Sequence, residues 1–140
     1  MSTRAQKYVL FIALMLVLFP ACELIDVEPD SNDLRDKFIG TWKFNEDEKK
    51  KSDLAFYSVL ISKDPTNSAQ VLLKNFGNLG NFYTTYGIVT TNRISIENQL
   101  VVSIKISGTG TYSSTGIMNW TYTINDGADE ITYTATAEKT

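Results

Sequence analysis

The chain has 140 residues, with 13 basic and 16 acidic side chains, no histidine and a single cysteine. Without histidine, a hydrolytic triad lacks its usual base and a zinc site loses a favoured ligand. One cysteine cannot form an internal disulfide, so no catalytic residue, metal or cofactor is expected.

Residues 1–21 carry Arg4 and Lys7, then an uncharged apolar run from Val9 to Phe19 that ends near the small Ala21. Eleven residues are too few to cross a bilayer, which takes about 20. A basic start, a short apolar run and a small residue fit an export signal, which lies outside the mature fold. Cys22 follows directly, and "LFPAC" resembles the lipobox of bacterial lipoproteins. That resemblance implies cleavage between Ala21 and Cys22 and acylation of Cys22. The implied partner is a membrane, reached through the N-terminal lipid. A free thiol or a nucleophile is less favoured at Cys22, since no histidine is present to lower its pKa.

Residues 22–36 read as a tether. Glu23, Asp26, Glu28, Asp30 and Asp33 precede any base, the first being Arg35. Such a run stays solvated and self-repelling. It also resembles the acidic export signals of Bacteroidota lipoproteins, which implies the outer membrane, at its cell-surface or periplasmic face. Beyond residue 33 acids and bases balance at 11 each, so a basic nucleic-acid footprint is absent and no nucleic-acid partner is expected.

Residues 37–140 suffice for one domain with one core. Threonine, tyrosine, isoleucine and valine recur without helical spacing, which favours strands. Strands are expected over 38–44, 55–63, 70–76, 82–90 and 94–98. "KDPTNS", "NFGNLGN" and "TTN" supply the turns between them. "VVSIKISGTGTY" places Val102, Ile104, Ile106, Gly108, Gly110 and Tyr112 on one face, the paired glycines marking a bend or bulge. "GIMNWTYTI" puts Met118, Trp120, Tyr122 and Ile124 inward. "EITYTATAE" does the same for Ile131, Tyr133, Ala135 and Ala137, and "NDGAD" forms the hairpin turn between them. About eight short strands in sequence order give an all-β fold, a small antiparallel up-and-down meander closed into a barrel. An open sandwich is the alternative.

"FIGTWKF", with Gly40 and Trp42, resembles the G-x-W signature of lipocalins and other calycins, in which the tryptophan plugs one end of the barrel. "VLLKNFGNLG", "GTGTYSSTG" and "ITYTATAEK" resemble segments of small Bacteroidota lipoproteins with a calycin-like domain, a resemblance that implies no particular activity. The charged run "NEDEKKK" reads as a solvated loop, and "NDGADE" as a turn rather than a calcium loop. Trp42, Tyr112, Trp120 and Tyr122 are the candidate ligand-binding residues, all expected to face inward. They either pack a narrow core or line a pocket for a small hydrophobic ligand. A non-enzymatic role, with the loops meeting a cell-surface partner, a glycan or a hydrolase, is the alternative function.

Overall fold

The computed structural model describes residues 32–47 and 56–140. Ala21, Cys22, the expected signal and most of the tether lie outside the described residues. So do 48–51 of the charged run.

A 3-10 turn, Asp36–Phe38, leads into eight strands among the described residues: β1 (Gly40–Glu46), β2 (Phe56–Lys63), β3 (Gln70–Lys74), β4 (Thr84–Val89), β5 (Arg93–Val101), β6 (Ile104–Tyr112), β7 (Ile117–Asn125) and β8 (Glu130–Lys139). Every neighbour in sequence pairs antiparallel, and β8 returns to β1 to close the barrel. The expected up-and-down barrel is therefore the architecture, and closure leaves no strand edge open.

Alternation builds its interior. Trp42 and Phe44 of β1, Tyr57, Val59 and Ile61 of β2, and Met118, Trp120 and Tyr122 of β7 are all buried. Gly108 stands opposite Tyr122, and Gly110 opposite Trp120. A Cβ on Gly110 would lie 2.3 Å from the Trp120 ring. Those glycines thus make room for large rings. The bulge expected near them falls on the facing strand β5, where the register shifts between Ile96 and Gln99.

Several boundaries differ from expectation. Phe38 belongs to the 3-10 turn instead of β1, and β3 stops at Lys74. The run read as one strand from Val101 to Tyr112 is broken by a tight turn at Val102 and Ser103. Val102 has a φ of 61° and is exposed, so it leaves the inward face assigned to it. A β-branched residue at positive φ is an outlier that periodicity does not reveal. Ile131 likewise sits at an open end of β8 and is exposed.

The chain enters at the lower end of the barrel, beside the turns after β2, β4 and β6. The turns after β3, β5 and β7 crown the upper end. The compact unit begins at Asn32, so Asp33, Arg35 and Asp36, at the end of the expected tether, already belong to it. Asp33 pairs with Arg35 at 2.8 Å and with Lys63 at 2.9 Å. The Arg35 guanidinium also donates to the carbonyls of Asp64, Asn67 and Gln70, fastening the β2–β3 turn. Hydrogen bonds from Arg35 and Lys63 hold the Asp33 carboxyl well below the usual carboxylate range.

Candidate functional site

The four candidate residues separate into two groups. Trp42 closes the lower end, fully buried, its indole N–H donating to the Phe38 carbonyl at 2.7 Å. Tyr112 meets the Trp42 ring edge-on at 6.2 Å and the Phe38 ring at 5.8 Å. Lys139 places its ammonium 5.4 Å from the Trp42 ring centre, a cation–π contact from the last strand. This cluster seals the barrel floor.

Trp120 and Tyr122 lie higher, in a second cluster organised by Phe76. That residue opens a 3-10 turn, Phe76–Asn78, in the β3–β4 loop, and its ring is fully buried inside the barrel. Phe76 lies 4.9 Å from Trp120, 5.0 Å from Tyr122 and 5.9 Å from Phe44. Asn75 drives the chain inward at a φ of 65°, and its side chain holds the loop through the Ser58 carbonyl at 2.9 Å and the Gly80 N–H at 2.7 Å. The loop reading of "NFGNLGN" is correct, but the inward Phe76 was not foreseen. Asn75 and Gly77, residue types that tolerate positive φ, flank the phenylalanine and mark a sharp local turn there, which was the signal available.

Above Phe76 is a polar cluster. Tyr122 donates its hydroxyl proton to the Glu46 carboxylate, and the Tyr57 hydroxyl stands 3.0 Å from that of Tyr122. Because the Tyr122 proton is committed to Glu46, Tyr57 donates to Tyr122. Burial pushes both phenols above their ordinary value of 10.0, and the Glu46 charge adds to this. Tyr133 stacks on Tyr122 at 5.2 Å. Glu46 is buried, which corrects its assignment to a solvated loop. It ends β1 on the same face as Trp42 and Phe44, so the period of two already pointed it inward.

One buried donor stands apart. Trp120 Nε1 has no hydrogen-bond acceptor among the described residues, lying among the rings of Phe44 and Phe76.

The outer surface offers a different feature. At the upper end a hollow of about 110 Å3 is lined by Leu79, Tyr83, Val101, Val102, Ser103 and Ile104. Ligand pockets run to about 300–1,000 Å3, so this one suits a single side chain better than a lipid-like molecule. Beside it Phe82 is 96% exposed and Leu100 64% exposed. At the β7–β8 hairpin, Asp126 Oδ1 accepts from the N–H groups of Ala128 and Asp129. That carboxylate serves the turn, in keeping with the turn reading of "NDGADE".

Fold and site together define a small, closed, eight-stranded antiparallel barrel with an aromatic interior. The chain matches no family model, and no curated protein matches it.

Proposed function

We propose that this is a lipid-anchored bacterial lipoprotein of the cell envelope, its barrel a non-enzymatic interaction module that meets a partner with its loops and outer wall. One observation carries the second half: two clusters of packed rings occupy the interior, Trp42, Tyr112 and Phe38 at the floor and Phe44, Phe76, Trp120 and Tyr122 above. A domain this small draws its stability from those rings. What remains for recognition is the outside. The anchor half rests on Cys22 and the signal-like segment before it.

A small hydrophobic ligand inside the barrel is the second reading, favoured by the unpaired Trp120 Nε1. It requires Phe76 to leave its place between Phe44, Trp120 and Tyr122. The lipocalin-like resemblance at Gly40 and Trp42 is compatible with either reading.

Fractionation of the source cells tests the anchor. The wild-type chain is expected in the membrane fraction, and Cys22→Ala in the soluble envelope fraction. Retention of Cys22→Ala on membranes would remove the lipid from the account. Acyl chains stabilise membrane attachment by about 0.8 kcal/mol per buried methylene, so losing them is not a marginal effect.

A further inference from the structure

The upper end of the barrel carries an apolar knob and an apolar hollow side by side. Phe82 is the knob. It is held out by an ordered loop: the Tyr83 N–H donates to the Gly80 carbonyl at 3.1 Å, and the Asn75 N–H donates to the Tyr83 carbonyl at 3.1 Å. The ring thus stands in water on an ordered loop. The hollow, lined by Leu79, Tyr83, Val101, Val102, Ser103 and Ile104, has a volume of about 110 Å3. That is of the order of one phenyl ring, since a cavity of about 150 Å3 admits benzene. Phe82 does not fill it in its own molecule, being almost fully exposed.

We propose that the hollow receives Phe82 of a second copy of this chain, in a two-fold symmetric contact where each molecule supplies both knob and hollow. Closed two-fold contacts require one self-complementary patch, and this patch holds both halves. Charge supports the choice. From Asn75 to Asn92 the sequence has no charged residue, and the hollow is lined by none. The hollow and the Asn75–Asn92 stretch therefore neither select a charged partner nor repel an identical one, and Lys105, opposite Leu100 across the β5–β6 ladder, stands at the margin. Aromatic enrichment with charge depletion is the composition of an interface centre.

Leu100, on the outer wall of β5, extends the patch sideways from the rim, so the contact is lateral. A two-fold axis parallel to the barrels then keeps both Asn32 ends on one side, as two chains anchored in one membrane need. A contact made by one knob and one hollow per chain is less than the roughly 20–30 residues a side of a standard interface, so the dimer is weak in dilute solution. Confinement to a membrane raises the effective concentration and favours it. This inference rests on the reading that the outer surface makes the contacts.

Sedimentation velocity of the full chain in density-matched detergent tests it, alongside cross-linking. Chains carrying only Asn81→Cys are mixed with chains carrying only Ser103→Cys and mildly oxidised. The expected result is a mass that rises with concentration toward twice the monomer, and a mixed disulfide dimer at least tenfold reduced when both chains also carry Phe82→Ser. A monomer at every concentration overturns the proposal, as does a cross-link indifferent to Phe82→Ser. Phe82 is so exposed that its replacement leaves the fold intact. Either negative result leaves Cys22 fractionation and the filled interior untouched, so the two readings fail separately.

Discussion

Gly110 shows how narrowly single residues set this interior. Its missing side chain is the space occupied by the six-membered ring of Trp120, directly across the β6–β7 ladder. Gly110→Ala therefore forces that ring, or β6 itself, to move. Overpacking of this kind costs about 1–3 kcal/mol. Urea unfolding followed by tryptophan fluorescence is expected to show a lowered midpoint with an unchanged slope. The inward placement of Gly110 was legible from alternation in "GTGTY". Its role was not, because the opposing residue depends on a register that one strand's sequence does not fix.

At the scale of elements, the shortest regular ladder among the described strands lies between β4 and β5. Only Ile88 with Ser95 and Val89 with Ile94 are in register there. Beyond the β5 bulge the Gln99 side chain takes over the ladder: its Oε1 accepts the Tyr86 N–H at 2.9 Å and its Nε2 donates to the Tyr86 carbonyl at 2.8 Å. One amide side chain thus replaces a neighbouring peptide. Gln99→Ala is expected to cost about 1 kcal/mol and to speed hydrogen exchange at Tyr86 selectively. Unchanged exchange at Tyr86 would show that the join does not depend on Gln99.

Legibility varied in the same way along the chain. β7 and β8 follow strict alternation between turn residues and were readable almost to the residue. β5 was cut short in the reading because its bulge changes the inward set from Ile94 and Ile96 to Val101. A shift of phase looks like the end of a strand. Phe76 was hidden for a related reason, since a loop that enters the core follows no period.

For the molecule as a whole, the Glu46, Tyr122 and Tyr57 chain gives stability a pH dependence. Burial raises both phenol pKa values in the folded state above the ordinary 10.0. Below pH 10.0 both states keep these protons and the contribution is intact. At higher pH the unfolded chain releases protons that the folded chain retains, so stability falls as pH rises. Denaturant midpoints measured across this range are expected to decline above pH 10.0, and less steeply in Tyr57→Phe, which keeps the Tyr122 bond to Glu46. Equal slopes for both proteins would mean that the Tyr57 proton is not held by folding.

The closed barrel itself was legible from strand count, turn spacing and the absence of helical periodicity. The state of its interior was not, because inward aromatics are common to a packed core and a binding pocket. Distances between the rings show that they pack on one another in two clusters, around Trp42 with Tyr112 and around Phe76. At the surface, Phe82 stands in water beside a hollow of about 110 Å3.

Native mass spectrometry of the mature protein, purified from its own cells in mild detergent, tests that central claim most directly. A filled barrel predicts the mass of the covalent protein and no further guest. A stoichiometric non-covalent adduct of lipid or metabolite size, released when the protein unfolds, would contradict it.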